Sequence, residues 1–171
     1  MHHDRPAKTF SFSEPPHLMI VEARFHDDIA DLLLAGAKAV LDRAGVSYEI
    51  VTVPGALEIP AAITFALRSL NYDPLRRRFD GYVALGSVIR GGTRHDEIVG
   101  DVSANSLYHL VTTHALALGN GILTVNDHAQ ALERADPARM DKGGGAAEAC
   151  LRMIELKQHF RLSSKRRWVA R

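Results

Sequence analysis

The sequence has little of what marks secreted, membrane-embedded or nucleic-acid-binding proteins. Its one cysteine, Cys150, cannot form an internal disulfide. No apolar run approaches the ~20 residues that a membrane-spanning helix requires. No N-terminal stretch combines a basic flank, an apolar segment and a small-residue cleavage site. These absences predict a cytoplasmic protein with no membrane partner.

Net charge is also nearly absent. The 21 Lys and Arg residues almost balance the 20 Asp and Glu residues, which leaves a formal charge of +1. Such a chain lacks the basic field that dominates binding to a phosphate backbone, so no nucleic-acid partner is predicted. What the chain does have is enough length for a core, since 171 residues amount to about one globular domain.

Residues 1–16 differ in composition from the rest of the chain. They hold three prolines and two adjacent histidines without apolar periodicity. This composition predicts a mobile N-terminal arm, in which only residues 9–12 alternate like a strand. We assign residues 17–171 to a single domain.

Short apolar runs alternate with helical stripes through that domain. The runs predict four buried strands at residues 17–23, 48–53, 81–86 and 121–125. The first predicted helix is capped by Asp27 or Asp28, the second runs through residue 70, and the third follows a loop at 87–97. The last two, at 129–135 and 146–160, are separated by Pro137 and the glycine run 143–145. This alternation implies a four-stranded parallel sheet with helices on both faces.

In such sheets, binding sites lie outside the carboxyl ends of the strands. The segment after the third strand is the richest in chemistry, since it offers backbone N–H groups, a hydroxyl, an imidazole and two carboxylates just before a helix, at residues 91–97. Backbone N–H groups at such a place bind anions. A solvated turn with helix-capping acids explains the same residues about equally well.

Other candidate residues leave two interpretations open. Phe25, after the first strand, either stacks on a planar ligand or packs in the core. Glu58 either complements a helix dipole or bonds a polyol. Arg134 at a helix end is explained by solvent exposure and the helix dipole, so a phosphate role for it needs a separate reason. Lys142 before three glycines is a weak indication of a phosphate site, because in a P-loop the lysine follows the glycines. A metal site is not indicated, because the two histidines late in the third helix are five residues apart and off one helical face.

Four motifs stand in order along the chain, EARF at 22–25, VPGALEIP at 53–60, ALGSVIRGGTRH at 84–95 and KG at 142–143. On these motifs the chain resembles the lumazine synthase family from about residue 17 to residue 160. The resemblance implies a flavodoxin-like, three-layer αβα sandwich. It implies an enzyme that condenses 5-amino-6-(D-ribitylamino)uracil with 3,4-dihydroxy-2-butanone 4-phosphate into 6,7-dimethyl-8-ribityllumazine, the penultimate step of riboflavin biosynthesis. Phosphate and water are released, and no metal or other cofactor is implied.

The resemblance assigns residues to the pyrimidine substrate. Phe25 would stack on its ring, and main-chain groups of Val88 and Ile89 would meet the uracil edge. Asn120 stands where many members place an aromatic against the pyrimidine, which implies more polar recognition of the ring. The backbone at Ala56 and Leu57 would hold the ribityl chain together with the side chain of Glu58.

The phosphate and the proton transfers are assigned in the same way. Gly92 and Thr93 would bind phosphate through an N–H group and a hydroxyl, assisted by Arg134. His95 would transfer protons, which suits an imidazole because its ordinary pKa is near about 6.5. Lys142 matches a lysine of the family pattern near the same site.

One departure from the family pattern concerns the surroundings of His95. Gly145 stands where many members carry an acid, which leaves Asp96, or no residue, to orient His95. A different class of protein, a non-catalytic binder of lumazine or flavin on the same fold, is the alternative. The combination of Thr93, His95 and Arg134 favours the enzyme, because a ligand store needs no proton transfer.

The resemblance also implies an assembly. Family members form pentamers, some of which build sixty-subunit shells, and their N-terminal arm adds a strand to a neighbouring sheet. Phe10 and Phe12 suit such an addition. We expect a homopentamer that binds small-molecule substrates at its subunit interfaces, with Asn120 and Arg134 supplied by a neighbour, and leave the shell open.

Overall fold

Four parallel strands form one sheet in the order β2-β1-β3-β4 in the computed structural model. The structure describes residues 9–73 and 78–162, so residues 1–8 of the predicted arm lie outside it. In chain order the elements are β1 (His17–Ala23), α1 (Asp27–Arg43), β2 (Ser47–Val53), α2 (Glu58–Ser69), β3 (Gly81–Ile89), α3 (His95–His114), β4 (Leu118–Val125), α4 (His128–Ala135) and α5 (Lys142–His159). The predicted α/β class and parallel sheet are confirmed.

Burial follows the position of each strand in the sheet. All seven residues of β1 are buried, as are the first six of β3, because helices cover both faces of these central strands. One cluster of buried side chains lies on the side of α1, α4 and α5, and another on the side of α2 and α3. No helix among the described residues is long and apolar enough to cross a membrane.

The predicted loop at 87–97 is wrong at both ends. Residues 87–89 continue β3, where they pair with residues 123–125 of β4, and α3 begins at His95. Only residues 90–94 remain as the connection. The sequence shows no single periodicity here because the end of a strand and the start of a helix share the segment.

The predicted cap of α1 is also wrong. The N-cap residue is His26, whose side chain makes no capping hydrogen bond, and both aspartates lie in the first helical turn. Asp27 pairs with Arg24 at 2.9 Å, and Asp28 pairs with His128 of α4 at 2.7 Å. Asp27 therefore bonds a guanidinium and Asp28 an imidazole, and neither aspartate is the N-cap residue of α1.

The glycine run does not separate two helices, as the sequence suggested, but opens α5. Asp141 is the N-cap and accepts the N–H of Gly144 at 3.0 Å. A Cβ at Gly143 would overlap the backbone carbonyl of Leu33 in α1, and a Cβ at Gly119 in β4 would overlap the carbonyl of Ala146. The glycines therefore let α5 lie directly against α1 and the sheet.

Residues 9–16 lie along α5. The Ser11 N–H donates to Glu155 at 2.7 Å, and Phe10 packs its ring against Arg152, whose guanidinium carbon is 4.8 Å from the ring centroid. Residues 9–12 form no strand, contrary to the alternation, because their backbone meets side chains of a helix here. The division of the chain at residue 16 stays a prediction.

Cys150 is enclosed where α5 crosses the sheet. Its side chain is fully buried, with Sγ 3.7 Å from the carbonyl of Ala117 and against the backbone of Gly81. Burial raises the pKa of the thiol to about 12. The residue therefore serves packing, as an apolar side chain would.

Candidate active site

A cavity of about 490 Å³ opens at the carboxyl ends of β1, β2 and β3. This is the edge of the sheet where parallel α/β folds bind ligands, and its volume suits a small molecule. The predicted site residues on its lining are Phe25, Ala56, Leu57, Glu58, Val88, Ile89, Thr93 and His95. Three of the four strand ends thus converge as predicted, and the end of β4 does not reach the cavity.

Phe25 forms one wall of the cavity. Its side chain is 76% exposed, and its ring makes an edge contact with His26 at 5.0 Å between centroids. The alternative that Phe25 packs in the core is therefore wrong. An exposed aromatic face over a cavity is available to stack on a flat ligand.

The turn between β2 and α2 forms the floor. The N–H of Glu58 donates to the Gly55 carbonyl at 3.2 Å, and the N–H of Ile59 to the Ala56 carbonyl at 3.3 Å. These bonds hold Ala56 buried and leave Leu57 and Glu58 exposed at the start of α2. The Glu58 carboxylate is thus presented to the cavity on a rigid helical turn.

The connection 90–94 offers backbone donors. A Cβ at Gly91 or Gly92 would meet nothing within 4 Å, so this backbone is open to a ligand. The next helix, α3, has Arg94 as its N-cap, and the Arg94 side chain makes no capping hydrogen bond. The positive end of the α3 dipole therefore faces the connection, an arrangement that favours an anion. Gly92 lies within this connection, although it is not on the cavity lining.

His95 begins α3 with its side chain exposed beside the cavity. Its N–H makes a long bond of 3.4 Å to the Thr93 hydroxyl oxygen, which leaves the hydroxyl hydrogen free to donate to a ligand. Asp96 accepts the Gly91 N–H at 3.4 Å. Among the hydrogen bonds of the described residues none joins Asp96 to the His95 imidazole, so its carboxylate holds the loop and not the histidine.

Three predicted residues lie away from this cavity. Asn120 is exposed on β4, where its Oδ1 accepts the N–H of Ile122 at 3.0 Å. Arg134 lies on α4 and donates to the Gln130 carbonyl at 3.2 Å, with its side chain 35% exposed. Lys142 is the first residue of α5. None of the three lines the cavity within one chain.

The cavity also has residues that the sequence did not single out. His26, Ser87 and Val99 line it. Ser87 could have been found as the polar residue in the middle of an apolar strand segment, and Val99 as the position one turn after His95 on the same helical face. His26 follows Phe25 without any pattern of its own. Within residues 9–73 and 78–162, no three His, Cys, Asp or Glu side chains are grouped as metal ligands would be.

Comparison with known proteins agrees on one family. A family model described as 6,7-dimethyl-8-ribityllumazine synthase matches residues 15–158. The chain is 58% identical over 147 residues to 6,7-dimethyl-8-ribityllumazine synthase 1 of Rhizobium meliloti strain 1021, covering 86% of this chain and 95% of that protein. It is 57% identical over 145 residues to the 6,7-dimethyl-8-ribityllumazine synthase of Bartonella bacilliformis, covering 85% and 92%. The enzyme of that name from Agrobacterium fabrum is 54% identical over 143 residues, covering 84% and 95%.

Proposed function

The chain belongs to the 6,7-dimethyl-8-ribityllumazine synthase family, and we propose that the cavity at the ends of β1, β2 and β3 is where it performs the reaction. The protein is a transferase of riboflavin biosynthesis, which decides against the non-catalytic alternative. It joins 5-amino-6-(D-ribitylamino)uracil to 3,4-dihydroxy-2-butanone 4-phosphate and releases phosphate and water. The observation that supports the location is the convergence of eight predicted residues on one cavity.

The pyrimidine occupies the side of the cavity that Phe25 and the β2–α2 turn form. Its ring stacks on the exposed face of Phe25, and its uracil edge meets main-chain groups of Val88 and Ile89 at the end of β3. The ribityl hydroxyls bond the carboxylate of Glu58 and the backbone at Ala56. A carboxylate accepts several hydroxyl hydrogens, so Glu58 suits a polyol.

The phosphate of the ketone occupies the connection 90–94. There the N–H of Gly92, the Thr93 hydroxyl and the positive end of α3 all favour a dianion. The same donors stabilise the charge that develops when phosphate leaves. The cavity brings the two substrates side by side, which removes the entropic cost of their encounter from the chemical step.

His95 moves the protons. The amine of the pyrimidine attacks the ketone of its partner, so the protein need not supply a nucleophile. Protons must nevertheless move during imine formation, phosphate elimination and ring closure. His95 directly follows the connection 90–94 and lines the same cavity as Phe25. An imidazole both accepts and donates a proton near neutral pH.

A homopentamer completes the site. Asn120 and Arg134 lie away from the cavity of their own chain, which supports their donation to a neighbouring subunit. In that arrangement Arg134 bonds the substrate phosphate across the interface, with Lys142 close by. We make no assignment of a larger shell built from pentamers. A cytoplasmic location is part of the same proposal.

Replacement of His95 tests the proton-transfer role. We expect His95→Ala to lower kcat by about 10²-fold or less, since a single acid–base group contributes about 10²–10⁴ and proximity remains. Product affinity should stay within about twofold of the wild-type value. His114→Ala, at the other end of α3, is the control and should leave kcat unchanged. Equal turnover of His95→Ala and the wild type at saturating substrates would exclude the role.

Mixed assemblies test the shared site. His95→Ala and Arg134→Ala chains are unfolded together, refolded and checked for mixing by mass spectrometry. About a quarter of the interfaces then combine an intact His95 with an intact Arg134, so activity should exceed the mean of the two parents. Activity at that mean would place the whole site within one subunit. Alone, Arg134→Ala should raise KM for the phosphorylated ketone more than for the pyrimidine.

A further inference from the structure

Glu22 carries a buried carboxylate near the end of β1, after four consecutive apolar residues. Its side chain is 5% exposed, and both oxygens are hydrogen-bonded. Oε1 accepts a hydrogen bond from the Thr52 hydroxyl at 2.9 Å, and Oε2 accepts one from Nη1 of Arg24 at 3.2 Å. Because a buried charge is tolerated only when it is paired and hydrogen-bonded, the carboxylate depends on these partners.

Arg24 is held by two further carboxylates. Its Nε donates to Asp27 at 2.9 Å and its Nη2 to Asp31 at 2.6 Å, both in the first turns of α1. A guanidinium is a rigid planar fork, so three carboxylates on three nitrogens fix its orientation. The backbone N–H of Arg24 also donates to the Val53 carbonyl at 3.1 Å. The end of β1 is therefore tied to β2 and to α1.

Phe25, the next residue, has no comparable support. Its ring is mostly exposed and touches only the edge of the neighbouring His26 among the ring contacts of the described residues. The position of the ring over the cavity therefore depends on the backbone of residues 24–26. Side chains alternate between the two faces along a strand, so Glu22 and Arg24 point away from the α2–α3 side on which Ala23 packs. Arg24 does not line the cavity.

We propose that Arg24 is a positioning residue: its guanidinium, clamped by carboxylates, fixes the backbone that presents the Phe25 ring to the heterocycle of the pyrimidine substrate. The inference rests on the proposed function, in which Phe25 stacks on that ring. Arg24 touches neither substrate. Loss of Arg24 therefore weakens binding of the pyrimidine. Binding of the phosphorylated ketone and the proton transfers at His95 stay unchanged.

Steady-state kinetics with both substrates varied tests the proposal. Arg24→Gln should raise KM for the pyrimidine about tenfold, the scale of one aromatic stack, with kcat and the ketone KM within about twofold. Calorimetric titration with 6,7-dimethyl-8-ribityllumazine should show an equal loss of product affinity. Arg24→Lys keeps the positive charge without the planar guanidinium. Its pyrimidine KM should lie between that of the wild type and that of Arg24→Gln. Arg152→Gln, which removes an ion pair on α5 of 2.6 Å, is the matched control and should bind like the wild type.

A second variant guards against simple unfolding. Arg24→Gln leaves the buried Glu22 charge with one partner fewer, whereas Glu22→Gln/Arg24→Gln removes that charge and keeps the bond to Thr52. Both proteins should show the same selective rise in pyrimidine KM. Equal rises in the KM values of both substrates would indicate a general structural role and overturn the proposal.

Combination with Phe25→Ala separates the proposal from its premise. If Arg24 acts through the ring, adding Arg24→Gln to Phe25→Ala should change the pyrimidine KM less than about twofold further. If the double variant raises the pyrimidine KM by the product of the two single effects, the role of Arg24 is overturned and the stacking role of Phe25 stays intact. If Phe25→Ala itself binds the pyrimidine like the wild type, the stacking assignment is wrong, and the role of Arg24 is wrong with it.

Discussion

The two faces of the sheet are covered to different degrees. On the side of α1, α4 and α5, helix α5 lies so close that Gly143 and Gly119 have no room for a Cβ. On the side of α2 and α3, apolar side chains remain in solvent, with Phe65 71% and Ile98 54% exposed. Asn120 of β4 is exposed on the same side. We call the α1–α4–α5 side, which packs directly on the sheet, the complete layer, and the α2–α3 side the open layer. The proposed pentamer would use the open layer as its subunit contact.

The cavity and the charged network beside it also lie on different sides of the sheet. The cavity lies on the α2–α3 side, since Ala56, Val88 and Val99 line it. The charged network of Glu22 and Arg24 lies on the complete side, behind the same strand ends. The complete layer thus supports the strand ends, and the open layer holds the cavity in which we propose that the substrates bind.

The largest expected effect comes from charging the open layer. Ile98→Lys/Val102→Lys places two cations one helical turn apart at exposed positions of α3, and we expect loss of the proposed pentamer and of nearly all activity. The circular dichroism of the chain should stay unchanged. Sedimentation velocity measures the assembly. Leu156→Lys, at an exposed apolar position of α5, is the control and should still assemble; an intact pentamer in the double variant would refute the use of this face.

Overfilling the complete layer should have the next largest effect. Gly143→Ala forces a Cβ into the carbonyl of Leu33, and we expect a loss of about 3 kcal/mol in the free energy of unfolding. Gly145→Ala lies in the same helix, where a Cβ meets open space, and should be neutral or stabilising by up to about 1 kcal/mol. Urea denaturation of both variants decides the comparison. Equal stabilities would mean that the close approach of α5 is not required.

A smaller loss should follow when the buried carboxylate loses one partner. Thr52→Val keeps the shape of the side chain and removes the hydroxyl that bonds Glu22, at a cost of about 1–2 kcal/mol. Thr124→Val, at an exposed threonine of β4, should change stability by less than about 0.5 kcal/mol. Thermal denaturation at neutral pH measures both. Similar melting temperatures for the two variants would show that water replaces the Thr52 hydroxyl.

The smallest effect concerns the exposed pair between α1 and α4. Partial burial raises the pKa of Asp28, but hydrogen bonds from the Ile29 N–H and from His128 outweigh it and lower the pKa overall. A lowered folded pKa stabilises the protein above the unfolded value of about 3.9, and that stabilisation is lost as pH falls through the folded pKa. Asp28→Asn should therefore cost a few tenths of a kcal/mol near pH 6, and this cost should shrink as the pH falls below the unfolded value. A cost that stays constant as the pH falls would indicate a cause other than the charge.

The sequence predicted best what depends on neighbouring residues. The strand β1 has its predicted bounds, because a continuous apolar run buried on both faces leaves one interpretation. The glycine run of α5 was misassigned, since the close approach of Leu33 comes from a distant helix and leaves no local trace. The same holds for Glu22, whose partner Thr52 is 30 residues away.

The candidate site residues also differ in how well the sequence predicted them. Phe25, Glu58, Thr93 and His95 lie at strand ends, and the rule for parallel sheets together with the family resemblance brought them to one cavity. Asn120 and Arg134 were assigned through the resemblance alone. Their proposed roles require a packing of subunits, which neither periodicity nor the fold of one chain determines.

The thiol of Cys150 can be used to measure the opening of the complete layer. Its thiol is the only one in the sequence, and it is shut between α5, the start of β3 and the residue before β4. A thiol reagent reaches Sγ only after α5 has separated from the sheet. With a slow reagent the labelling rate follows the equilibrium population of that opened form, and with a fast reagent it follows the opening rate itself. The native chain, without an added label, thus allows the opening of its most tightly packed region to be timed.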